Sequence, residues 1–165
     1  MSNIKEAFKN RKALIAFITA GDPNLKTTEK LIYAIQKAGA DIIELGIPFS
    51  DPIADGPIIQ AAHQRALKNN ISIIDVFKLL KRMKLTVPIV FMLSANLVEQ
   101  YGSEKFYKDC SFYGVSGVII PDDEKGLGEG IGKGVGGGKG QEESGIDNIL
   151  VIAPTTPEER IKLIT

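Results

Sequence analysis

Asp41-Ile-Ile-Glu-Leu-Gly-Ile-Pro-Phe-Ser-Asp-Pro-Ile-Ala-Asp-Gly-Pro57 is the stretch on which the reading of this chain turns. It opens as an apolar run short enough to be a buried strand. Gly46, Pro48 and Pro52 then break regular structure, and a helix signal opens at Pro57. Inside this strand–loop–helix passage lie the carboxylates Glu44, Asp51 and Asp55. Glu44 is set among Ile42, Ile43, Leu45 and Ile47, so a strand here buries much of it. An ionised carboxylate without partners is costly to bury, and its pKa rises in response. A carboxyl group poised near neutrality suits general acid–base chemistry. An edge position facing water, or a structural salt bridge, accounts for Glu44 as well. Asp55 stands just before Gly56-Pro57 and suits either a site or a helix N-cap. Asp51, in Ser-Asp-Pro, reads most simply as a turn residue.

Outward from this stretch the same alternation repeats. Residues 2–10 read as a short amphipathic helix with Ile4, Ala7 and Phe8 on one side. Ala13–Ile18 is a continuous apolar run, the pattern of a strand buried on both faces, and Gly21-Asp22-Pro23 turns the chain after it. A helix follows from Thr27 to a stop at Gly39. Strand two is Ile42–Leu45. The next helix presents Ile58, Ile59, Ala62, Ala66 and Leu67 inward, and Ile74–Lys84 forms another with a basic, solvated outer face. Val87–Leu93 is strand three. Ser103 caps a helix closed by Gly114, with Cys110 on its apolar side as a packed thiol. Val115–Ile120 is strand four and Ile149–Ile152 strand five. Thr156-Pro157-Glu158-Glu159 is a capping box for a last helix. Strands alternating with helices give right-handed βαβ units and a parallel sheet. The polar residues Asp22, Asp51, Asp55, Asn96 and Asp122 all follow strand C-termini, where α/β barrels build their sites.

Composition narrows the function classes. The 165 residues suit a single domain, 1–165, and 20 basic residues cancel 20 acidic ones. Nothing in that balance favours nucleic acid or an anionic membrane. No apolar run is long enough for a membrane span, and the N-terminus carries no apolar signal core. One Cys and one His argue against a metal site built from them, and a lone Cys110 fits a reducing cytoplasm.

Ile43-Glu44-Leu45-Gly46 followed by Pro48-Phe-Ser-Asp-Pro-Ile-Ala-Asp-Gly56 resembles the signature of the tryptophan synthase alpha family. The likeness extends to Phe17-Ile-Thr-Ala-Gly-Asp-Pro23, Ala95-Asn-Leu-Val98, Gly117-Val-Ile-Ile-Pro-Asp122 and Ala153-Pro154. The resemblance implies a (β/α)₈ TIM barrel, of which five strands are expected in these 165 residues. It implies retro-aldol cleavage of indole-3-glycerol phosphate to indole and glyceraldehyde 3-phosphate, with no metal and no cofactor. Glu44 then matches the acid–base residue, and Asp55 the residue that holds the indole N–H. Phe17, Met92 and Ile152 match the indole pocket, although barrel core explains all three. Pro48, Asp51, Asn96 and Asp122 match loop residues near a contact with a beta subunit in an alpha2-beta2 assembly. Ser94 stands where the family often has Tyr. The alternative is a non-catalytic fragment or binding partner that docks on the beta subunit without turnover.

Two departures accompany the likeness. The glycine-rich loops that hold the family's substrate phosphate follow strands six to eight, outside these residues. Within the atypical segment 123–147, ten of the residues 126–145 are Gly where the family has a helix. Each costs a helix about 1 kcal/mol relative to Ala. The composition fits a flexible linker or an artificial segment, and it matches no phosphate-loop pattern.

Overall fold

A computed structural model describes residues 4–9, 11–52, 55–122 and 144–164. The helix α1 (Ile4–Ala7) leads into β1 (Ile15–Thr19), α2 (Leu25–Lys37), β2 (Ile42–Gly46), α3 (Pro57–Lys68) and α4 (Ile73–Arg82). The strand β3 (Ile89–Met92), helices α5 (Ala95–Tyr101) and α6 (Ser103–Tyr113), β4 (Val115–Ile119), β5 (Asp147–Asn148) and α7 (Glu158–Ile164) follow. The strands form one parallel sheet in the order β1-β2-β3-β4-β5. The expected partial barrel of five parallel strands with helices is therefore what the chain forms.

Local chemistry sets the boundaries. Asn24 caps α2 by accepting from the Thr27 N–H, and Ser72 with Asp75 makes a reciprocal capping box on α4. Gly114 ends α6 at φ +80, a left-handed conformation that glycine adopts without a Cβ penalty.

The two faces of the sheet have different fates. Ile43, Leu45, Phe91 and Val118 point toward the helices and join Phe77, Phe106, Tyr107 and Cys110 in one core. Burial pushes the Cys110 thiol well up, so it is an inert packing group. The opposite face carries Ile42, Glu44 and Gly46 on β2, beside Phe17 on β1 and Val90 and Met92 on β3. Its lower half is packed: Ile4 of α1 closes over Ile42 and Val90, with Ile119 and Ile149 against them. Its upper half, at the strand C-termini, is open.

Several expectations are corrected. The strand β1 lies at an edge of the sheet, and Leu14 and Ile15 are 60% and 45% exposed, so it is not covered on both faces. The fifth strand is Asp147–Asn148 rather than Ile149–Ile152. The reason is register: Val118 pairs with Asn148 and β4 ends at Ile119, so residues 150–152 run past the strand they would pair with. The helix α5 adds a short stretch of structure between β3 and α6 that the sequence pattern does not mark, and the cap of α6 is Gly102, without a side-chain bond, rather than Ser103. The Thr156 hydroxyl accepts from the Ala153 N–H at 2.9 Å, ahead of a helix that starts at Glu158. The glycine-rich reading of 126–145 falls almost wholly outside the described residues.

Candidate functional site

A cleft of about 310 Å³ opens at the C-terminal end of the sheet. Its apolar wall is Phe17, Gly46, Ile47, Phe49, Met92 and Leu93, and its polar rim includes Asp51, Asp55, His63, Ser94, Asn96 and Asp122. Parallel strands place it there. The strands end together at Thr19, Gly46, Met92 and Ile119, and the loops that follow carry the polar groups. Gly46 shapes the wall. A Cβ at this position would lie 2.6 Å from the Phe17 ring, so the missing side chain lets that ring lean across the strand end.

Glu44 sits on the same face as Gly46, two residues lower, roughly 7 Å along the strand. It is partly buried between Phe17 and Val90, its neighbours in the ladder, and does not itself line the cleft wall. Among the described residues its carboxylate has no hydrogen bond or ion pair. Burial alone raises its pKa above the ordinary value of 4.5. Among the described residues neither the salt-bridge nor the open-edge explanation of Glu44 applies: β2 is an interior strand.

Asp55 does line the cleft, and its side chain does not cap α3. The N-cap is Gly56, which has no side-chain cap bond, followed by Pro57. The Asp55 carboxylate instead faces the His63 ring, Oδ2 to Nε2 at 3.3 Å. The loop beneath it is tied by Gln60, whose side-chain amide donates to the Asp55 carbonyl at 2.8 Å.

His63 is the functional candidate that sequence reasoning passed over. It is 5% exposed on α3, and its Nδ1 accepts from the Phe49 N–H at 3.2 Å. Burial lowers its pKa and the neighbouring Asp55 partly offsets that, so the imidazole is held toward its neutral form. The signal was available: His63 falls at helical spacing with Ile59, Ala62 and Ala66, on the apolar side of the helix.

The remaining candidates separate. Phe17 and Met92 line the cleft. Ile152 does not; it is 44% exposed beyond the end of β5. Pro48 is buried behind the wall, while Asp51, Asn96 and Asp122 are exposed at the rim. Asp122 has a structural task as well. It accepts from the Ser94 hydroxyl at 2.7 Å and the Ala95 N–H at 2.8 Å, clamping the loop after β4 to the start of α5. No helix among the described residues is long and apolar enough to cross a membrane.

A family model described as tryptophan synthase alpha chain matches residues 2–165. The tryptophan synthase alpha chain of Petrotoga mobilis is 48% identical over 170 residues, covering 100% of this chain and 62% of that protein. The corresponding chain of Dehalococcoides mccartyi is 46% identical, covering 99% and 63%. The chain thus spans about three fifths of the length of the curated relatives it matches. Among solved structures, the tryptophan synthase subunit alpha of Legionella pneumophila superposes with a TM-score of 0.84 at 35% identity, covering 97% of this chain and 60% of that one. A chain of the tryptophan synthase complex from Pyrococcus furiosus gives 0.81 at 37% identity, covering 92% and 61%.

Proposed function

The chain belongs to the tryptophan synthase alpha chain family, and on that premise we propose that it supplies the catalytic end of a carbon–carbon lyase. The reaction is cleavage of indole-3-glycerol phosphate to indole and glyceraldehyde 3-phosphate in tryptophan biosynthesis, in the cytoplasm. The observation that carries this reading is a lone, partly buried carboxyl at Glu44 beneath an apolar cleft that has Asp55 on its rim.

Retro-aldol cleavage requires a proton delivered to indole C3 and a proton removed from the adjacent side-chain hydroxyl. A carboxyl group with a raised pKa can exchange protons in both senses near neutral pH, which is the work assigned to Glu44. Protonation at C3 leaves positive charge on the indole nitrogen. The Asp55 carboxylate is the anion assigned to accept that N–H and stabilise the charge as it develops. Phe17 and Met92 supply flat apolar surface for the ring, and Ile152 is left out of the pocket. The phosphate anchor is assigned to a part of the family's barrel that these residues do not include.

The test is indole release by a completed barrel, residues 1–165 joined to the C-terminal segment of the Petrotoga mobilis relative. Turnover of indole-3-glycerol phosphate is expected; a folded, completed barrel that releases no indole overturns the assignment.

We assign the rim residues Asp51, Asn96 and Asp122, with Pro48 behind them, to a contact with a beta subunit. The Pyrococcus furiosus neighbour comes from a tryptophan synthase complex, which supports such a partner. Asp51→Ala is expected to weaken activation of the beta reaction while leaving the fold intact. Asp51 is exposed, so its loss changes stability by no more than about 0.5 kcal/mol. Beta-reaction rates and binding calorimetry check this, and unchanged coupling returns Asp51 to a plain turn residue.

A further inference from the structure

We propose that His63 is a positioning residue for Asp55: a neutral imidazole, locked as the Nε2–H tautomer by the Phe49 N–H, that holds the Asp55 carboxylate in the cleft wall. This rests on the lyase reading above for its meaning, and on geometry for its substance.

The Phe49 backbone nitrogen can only donate, and it points at Nδ1 from 3.2 Å. Nδ1 must therefore present its lone pair. The one proton of a neutral ring then sits on Nε2, which faces Asp55 Oδ2 at 3.3 Å. The ring is 5% exposed, so water has little access to it. One imidazole thus spans the loop that follows β2, tying its beginning at Phe49 to its end at Asp55. The helix α3 provides the rigid base.

The arrangement suits the task given to Asp55. A neutral donor orients the carboxylate through one oxygen and leaves the other free for the substrate N–H. A protonated imidazole would serve badly. Its second N–H would oppose the Phe49 N–H, and its charge would neutralise the anion that has to answer the indole cation.

The sequence has a single His, so the ¹⁵N signals of its ring are unambiguous. Long-range ¹H–¹⁵N spectra of the 165-residue chain at neutral pH are expected to show the Nε2–H tautomer, with the Nε2 signal shifted in Asp55→Asn. A Nδ1–H ring, a fast-exchanging average, or no response to Asp55→Asn overturns the proposal.

Kinetics in the completed barrel separate positioning from loop support. His63→Gln can place an amide N–H where Nε2–H stood, and it is expected to keep kcat within about threefold. His63→Asn can still accept from Phe49 but falls short of Asp55, and its kcat is expected to drop tenfold or more with little change in KM. Equal loss in both variants, or loss in His63→Gln alone, reduces His63 to a loop support and overturns the proposal. A completed barrel with no turnover in its unmutated form refutes the lyase reading instead. The tautomer and its response to Asp55→Asn then still decide whether His63 holds that carboxylate.

Discussion

Glu44→Gln is expected to lower cleavage of indole-3-glycerol phosphate in the completed barrel at least a hundredfold, within the ~10²–10⁴ that a general acid–base group contributes. The amide has the shape of the carboxyl but cannot exchange the proton that C3 and the side-chain hydroxyl require. The same substitution is expected to stabilise the fold at neutral pH. Burial raises the Glu44 pKa above 4.5 in the folded state, so folding disfavours its ionised form. Stability from this group is fully present below the unfolded-state value and is lost as pH rises through the higher folded-state one. Gln has no charge to bury. Its advantage over Glu should therefore grow as pH rises through that window and vanish in acid. Thermal unfolding of both proteins across that range, beside steady-state rates, makes the check. A slower enzyme that is also more stable cannot be explained by structural damage. Near wild-type turnover in Glu44→Gln would remove Glu44 from the chemistry.

Asp55→Asn is expected to cost kcat on the order of 10²–10³, the range seen when one preorganised charge-stabilising group is removed. The loss belongs mainly in kcat. The substrate's indole is neutral in the ground state and becomes cationic only on protonation at C3, so the missing anion is felt mainly in the transition state. KM should move little, because the apolar wall of Phe17 and Met92 is untouched. A variant with raised KM and unchanged kcat would show that Asp55 only binds, and would reassign the charge-stabilising role.

Much of the local architecture was legible because it is written in short-range chemistry. The run Ile42–Leu45 is apolar apart from Glu44, and both sides of the strand are covered there, by α-helices and by the lower core. The Ser72-x-x-Asp75 box and Gly114 are read from the residue types that such ends require. Errors arose where one segment depends on another. Ile149–Ile152 has strand composition, yet the ladder lies two residues earlier because β4 ends at Ile119. Ser103 has cap chemistry, yet α5 runs up to Gly102 and displaces it.

The same division holds at the site. The sequence by itself determined that Glu44 is a carboxyl in an apolar strand and that Asp55, Asn96 and Asp122 follow strand ends. Alternation and strand polarity are properties of the chain alone. Only the tertiary structure decided what each carboxylate faces. Parallel pairing put Glu44 on the inner face beside Phe17 and Val90, where burial and not a partner sets its pKa. The packing of α3 turned Asp55 from a plausible helix cap toward the ring of His63, a residue eight positions away that also accepts from Phe49 across the loop. A side chain's donors and acceptors can be read from its type, but their partners are set by which segments the fold brings within hydrogen-bond distance.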